Sequence, residues 1–182
     1  MNVALYRLLQ ALLAPGASRS IAGRIQRRQG RALDVGCGPD SRLRLVGMKP
    51  FGVDIAPDRA RAFGPAVVAS ATALPFADGV FESVWSFGLL HHLPDDGARA
   101  AIREMRRVTR AGGATVIFDG VLPRRPWSRP FAWLLRRLDR GRWMRRQEAL
   151  RTLFDRPASW RFERFTYART GLEGVICEYA GG

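Results

Sequence analysis

The chain has 182 residues, 47% hydrophobic and 25% charged, a composition that suits one globular domain with its own core and excludes a disordered chain. Two cysteines, Cys37 and Cys177, are too few for a disulfide framework, and with two histidines they make no zinc-ligand spacing; no metal centre is expected, and the expected compartment is the cytoplasm. A net charge of +14, arginine at every cationic position except Lys49, attracts anionic partners without choosing among nucleic acid, a phospholipid surface and a phosphorylated substrate.

Residues 1–30 predict an N-terminal helical cap. An amphipathic helix is followed by a break at Pro15-Gly16 and a second, basic helix to about Gln29. Arg7 and Gln10 interrupt any signal-peptide core, and the apolar stretch is too short to span a bilayer. Residues 31–182 form the main domain.

That domain opens with Arg31-Ala32-Leu33-Asp34-Val35-Gly36-Cys37-Gly38 and Pro39-Asp40-Ser41. Ala32 to Val35 reads as a short buried strand, Gly36 and Gly38 remove two side chains where the chain turns, and Ser41 offers N-cap chemistry to a following helix. Bare backbone at a strand end, leading into a helix N-terminus, suits close approach by a polar ligand. The third glycine of a dinucleotide fingerprint is replaced by Ser41, and no Walker lysine is present, so a pyrophosphate is not demanded. About eight residues separate Gly38 from the next strand, which makes the intervening helix short.

Strand-like segments near 31–36, 51–54, 66–69, 80–86 and 114–119 alternate with helical ones, which predicts a parallel sheet with crossover connections. Asp54 ends the second strand, where a carboxylate can accept both hydroxyls of a ribose. The clearest helix spans roughly 95–110. Ala98, Ala101, Ile102, Met105 and Val108 share one face, and Gly112-Gly113 is expected to stop it. His91 and His92 precede this helix. Either is a candidate general base or acceptor contact, and either suits a hydrogen-bonded turn.

Residues 120–146 hold nine arginines, one aspartate and Trp127, Trp133 and Trp143. Phe131, Trp133, Leu134, Leu135 and Leu138 give a lid-like insertion an apolar face, while Arg136, Arg137, Arg140, Arg145 and Arg146 supply charge. An anionic membrane surface, an RNA surface and a solvated helix all fit this pattern. A helix near 147–154 and two closing strands, 160–167 and 172–180, complete the chain as a hairpin.

Four blocks in order now carry a resemblance: Ala32 to Ser41, Gly52 to Ala60, Ser70 to Asp95 and Ala101 to Asp119. Together they resemble class I S-adenosylmethionine-dependent methyltransferases, near the type 11 and ubiquinone/menaquinone-methyltransferase-like group. The resemblance implies a single-domain, three-layer αβα Rossmann-like fold with a mainly parallel seven-stranded sheet and a C-terminal antiparallel hairpin. It also implies S-adenosylmethionine as cofactor. Asp34, Gly36, Cys37 and Gly38 match the motif around the methionine portion, Asp54 the ribose acid, and Ile55 the adenine contact. Ser70 stands where an aspartate usually reaches the adenine amino group, with Ala71 after it. Ser86 and Phe87, taken to follow the fourth strand, match the segment whose backbone meets the cofactor amine and donor methyl. The expected reaction is methyl transfer to a small-molecule or lipid-like acceptor, at a cytoplasmic site or peripherally at the inner membrane surface. RNA methylation and a non-catalytic binding scaffold are the alternatives.

Overall fold

The computed structural model describes residues 23–24, 30–124, 142–167 and 171–180. The expected helical cap therefore lies almost wholly outside the described residues, as do residues 125–141 of the arginine- and tryptophan-rich stretch.

The apolar runs seen in the sequence become strands, the first running into Gly36, the second ending on Asp54 and the fourth running into Gly88. In chain order these are β1 (Ala32–Val35), β2 (Phe51–Asp54), β3 (Ala66–Val68), β4 (Phe81–Phe87), β5 (Thr109–Val121), β6 (Arg161–Thr166) and β7 (Glu173–Ala180). Their spatial order is β3-β2-β1-β4-β5-β7-β6. Neighbours from β3 to β5 pair parallel, while β7 pairs antiparallel with both β5 and β6. The order reverses between β1 and β4, so their carboxyl ends flank the switch point where such sheets bind ligands.

Helices cover both faces, as right-handed crossovers on either side of the switch point require. On one face lie a 3-10 turn, Arg42–Val46, and α1 (Pro57–Phe63). Leu43 of that turn joins Ala32, Trp85, Val116, Phe118 and Ile176 in one apolar cluster. On the other face lie α2 (Asp95–Val108) and α3 (Gln147–Arg151). There Ile102, Met105, Val108 and Leu150 meet Leu33, Val35, Val84 and Ile117. The α2 positions spaced at 3.6 residues are all buried. Each large apolar side chain among them contributes about 1.5–3 kcal/mol by leaving water.

Two expectations need correcting. Gly112-Gly113 does not stop α2: Thr109 ends it, its hydroxyl donating to the Met105 carbonyl at 2.6 Å, and both glycines run inside β5. Ser86 and Phe87 do not follow β4 but form its last two residues. The expected short helix after Ser41 appears as the single 3-10 turn, with the Ser41 hydroxyl accepting the Leu43 amide at 3.2 Å.

Candidate active site

Strand order alone brings four sequence-predicted segments to one edge of the sheet. Val53 of β2 holds the glycine loop: its carbonyl accepts the Gly36 amide at 2.8 Å and the Cys37 amide at 3.0 Å. Asp54, the next residue, uses each carboxylate oxygen once. Oδ2 accepts the Gly38 amide at 2.9 Å, and Oδ1 accepts the Ala56 amide at 2.9 Å. A carboxylate has about four acceptor sites, so Asp54 keeps capacity for two more donors at the mouth of the loop.

The two glycines serve different ends. Both have positive φ, 72° at Gly36 and 59° at Gly38. A Cβ on Gly36 would lie 2.9 Å from Leu89 Cδ1, whereas a Cβ on Gly38 would meet nothing within 4 Å. Gly36 makes room for protein; Gly38 borders open space.

Asp34 is 2% exposed. Its Oδ2 accepts the Ser41 hydroxyl, while Oδ1 has no hydrogen-bond partner. Burial pushes its carboxyl up to about 7, against the lowering pull of Ser41, Arg42 and Arg44. A buried acceptor without a donor is costly, and it suits a ligand that brings a cationic donor. The Cys37 thiol is also buried and pushed upward, first by burial and then by Asp34 and Asp54, so it stays protonated.

Ile55, at the end of β2, is 73% exposed, and Val68, which faces Asp54 across the β2–β3 register, is 55% exposed. Two apolar side chains beside the Asp54 carboxylate suit the faces of a purine. Ser70 shares a hydrogen bond with the Thr72 hydroxyl at 2.8 Å and accepts the Thr72 amide at 3.2 Å; Ala71 lies between them. This loop is tied down by Arg107 of α2, which donates to the Leu74 and Phe76 carbonyls at 3.0 and 2.8 Å.

At the end of β4, Ser86 is fully buried with its hydroxyl unpartnered, and Phe87 stacks between Trp85 and Phe118 at 6.2 and 5.3 Å. The two histidines separate: His91 is buried in a 3-10 turn and His92 is exposed. His91 Nδ1 lies 2.5 Å from Asp119 Oδ1, at the end of β5. Sequence reasoning missed Asp119, although it repeats a visible signal: like Asp34 and Asp54, it is an aspartate near the carboxyl end of an apolar strand.

Arg145 is corrected too. It does not supply surface charge: its buried guanidinium donates to the carbonyls of Leu90, Leu93 and Trp143 and pairs with Asp95 at 2.7 Å.

Residues 33–117 match the family described as "Methyltransferase domain". A demethylmenaquinone methyltransferase of Mycolicibacterium vanbaalenii is 48% identical over 60 residues, 32% of this chain and 25% of that protein. An uncharacterized methyltransferase of Mycobacterium marinum is 35% identical over 135 residues, 68% of this chain and 48% of the relative. A 2-methyl-6-phytyl-1,4-hydroquinone methyltransferase of Synechocystis is 36% identical over 100 residues, 48% of this chain and 31% of its own length. The chain thus spans between a quarter and about half of these relatives.

Solved structures share the fold. The YcgJ protein of Bacillus subtilis superposes with a TM-score of 0.66 at 16% identity, covering 90% of this chain and 99% of that one. A Burkholderia thailandensis 1,6-didemethyltoxoflavin-N1-methyltransferase, solved with its 1,6-didemethyltoxoflavin and S-adenosylhomocysteine, gives 0.62 at 16% identity over 90% of this chain and 76% of its own.

Proposed function

Because the chain belongs, through residues 33–117, to the methyltransferase-domain family, we propose that it transfers a methyl group from S-adenosylmethionine to a small-molecule acceptor of the quinol type. The bound cofactor supplies an activated methyl group on a sulfonium. The chain's residues bind and orient it.

The observation that carries this reading is the clasp of Asp54 on the glycine loop. It sets a carboxylate with spare acceptor sites beside the open space at Gly38. Ribose hydroxyls are donors of the right kind for it. The unpartnered Asp34 Oδ1 suits the cofactor's ammonium, and exposed Ile55 and Val68 suit its adenine. The residues present therefore fit the group.

The acceptor class draws on two relatives named for quinone or hydroquinone methylation. It also draws on an aromatic series at the carboxyl ends of β4 to β6. Phe118 continues the Trp85–Phe87 stack to Phe165 at 6.3 Å, and Phe165 meets Tyr167 at 5.1 Å. Trp85 and Phe118 belong to the buried core, so the partly buried Phe87, Phe165 and Tyr167 are the members of the series able to meet a planar aromatic ring by offset or edge contact. Holding acceptor and methyl in line removes much of the orientational cost of the reaction.

Incubation with methyl-labelled S-adenosylmethionine and a cell extract, then partition into lipid-quinone, RNA and aqueous pools, tests this. Label is expected in the lipid-quinone pool. Label in RNA alone would replace the acceptor assignment.

A further inference from the structure

Arginines inside the fold are matched by acids: Arg107 pairs with Glu104, Arg145 with Asp95 and Arg164 with Glu173. Arg99, Arg103 and Arg106 of α2 and Arg151 of α3 are different. Among the described residues, none of these four forms an ion pair. Glu148 and Asp155, the acids nearest Arg151 in the chain, pair with none of them.

Three of the four are nevertheless held. Arg99 donates to the Thr152 carbonyl, next to Arg151. The Arg106 guanidinium lies 3.3 Å from the centroid of the Tyr179 ring, and that of Arg151 lies 4.7 Å from the Phe162 ring. Phe162, Phe154, Trp160 and Tyr179 form one row, with successive centroids 5.1, 4.6 and 5.4 Å apart. Arg106 and Arg151 thus cap its two ends. A carbonyl or a ring face orients a guanidinium and leaves its full charge in place. Each group also has five N–H donors, more than these contacts use.

The four charges share one face. Positions 99, 103 and 106 follow one stripe of α2, three and four residues apart, and α3 lies in the same helical layer, with Ile102 and Leu150 in one apolar cluster. Like charges at that spacing oppose a helix. An oriented array of cations without acids is complementary to a row of phosphates outside the protein.

We propose that the α2–α3 face docks on an anionic lipid bilayer, with Arg99, Arg103, Arg106 and Arg151 against the headgroup phosphates. Two observations favour a bilayer over a nucleic acid. Single strands are gripped by stacking bases on open aromatic faces, whereas here the rings lie under arginines or in the core, Phe154 and Trp160 being 3% and 5% exposed. The second is the pair of relatives named for quinone or hydroquinone methylation, and in that part the choice rests on the quinol reading above. The exposed large apolar residues, Leu45, Phe51, Ile55, Val68 and Trp143, lie on other elements, so the contact is with headgroups and not with acyl chains.

Sedimentation of the full chain with phosphatidylcholine vesicles, with and without phosphatidylglycerol, tests this at physiological salt. The wild type should bind only the vesicles that contain phosphatidylglycerol. Arg103 and Arg151 are exposed, so both can be changed without disturbing the core. Arg103→Gln/Arg151→Gln should lower the partition roughly twentyfold to thirtyfold, about fivefold for each arginine. Arg59→Gln/Arg61→Gln makes the same change of charge on α1, in the opposite helical layer, and should lower it by less than about threefold, since screening confines the effect to charges near the surface. S-adenosylhomocysteine affinity, read by calorimetry, should be equal in all three proteins. No binding of anionic vesicles by the wild type, undiminished binding by Arg103→Gln/Arg151→Gln, or equal losses in the two double variants overturns the proposal. So does a gel shift of single-stranded RNA that Arg103→Gln/Arg151→Gln abolishes, in a protein that ignores vesicles. Vesicle binding of the expected pattern without S-adenosylhomocysteine binding upholds the docking face and removes the methyl-transfer reading; S-adenosylhomocysteine binding without vesicle binding does the reverse.

Discussion

The Gly38 amide donates to Asp54 Oδ2 at 2.9 Å, tying the loop after β1 to the end of β2 across the point where a ligand is expected. One bond thus joins the two segments that the sequence marks separately, a glycine turn and a strand-ending acid.

The two glycines should therefore respond differently to substitution. Gly38→Ala places a methyl group in the open space at φ 59° and costs about 1–2 kcal/mol of backbone strain. It should nevertheless weaken S-adenosylhomocysteine binding strongly. Gly36→Val drives a branched side chain into Leu89, so its main effect should be a loss of roughly 2–5 kcal/mol in stability. Chemical denaturation and calorimetry on both variants separate the effects. Unchanged binding in a folded Gly38→Ala would show that the open space is not the ligand site.

The legible part of the sequence was what local chemistry sets. The β2 range, Phe51 to Asp54, emerged as expected because an apolar run ends on an acid before Pro57 opens a helix. The α2 face emerged because five apolar positions repeat at 3.6 residues. Long-range partners stayed hidden. Asp119 finds His91 28 residues away, and Arg145 finds Asp95 50 residues away, so no spacing announces either. Arg145 was further masked by a run of arginines that all look alike until one is buried. Gly112-Gly113 misled for a related reason. A glycine pair is a good helix stop in isolation, but pairing with β4 keeps it in a strand.

Asp34 should leave a signature in the pH dependence of stability. In the unfolded chain its carboxyl titrates near 3.8, in the folded chain near 7. Between these values the folded state binds more protons, so the contribution of Asp34 is full below pH 4, declines as pH rises, and is gone above about 7. Asp34→Asn removes that decline. Its melting temperature should match wild type below about pH 4 and exceed it at pH 8. Parallel pH profiles for the two proteins would remove this account. With ligand the sign reverses: an ammonium against Oδ1 favours the ionised form, so wild-type affinity for S-adenosylhomocysteine should rise from pH 5 to 8.

Arg107 anchors the Ser70–Phe76 loop to α2, and Glu104 Oε2 accepts the Leu74 amide at 2.7 Å beside it. Arg107→Leu should cost about 1–3 kcal/mol, since it leaves the Leu74 and Phe76 carbonyls without their donor. It should also raise the KM for S-adenosylmethionine more than it lowers kcat, because the loop carrying Ser70 and Ala71 loosens. A change in kcat alone would show that this loop does not border the cofactor.

The central claim is that the ends of β1 and β2 bind S-adenosylmethionine through Asp54. Isothermal titration of S-adenosylhomocysteine into the wild type and Asp54→Asn tests it most directly. The asparagine keeps the size and one acceptor oxygen of the carboxylate, so it can retain one of the two bonds from the Gly38 and Ala56 amides, where alanine retains neither. The wild type should bind at one saturable site. The variant, folded by its melting curve, should lose about 1.5–3 kcal/mol, the scale of hydrogen bonds to a charged group. No saturable binding by the wild type, or equal affinity in the two proteins, would contradict the account.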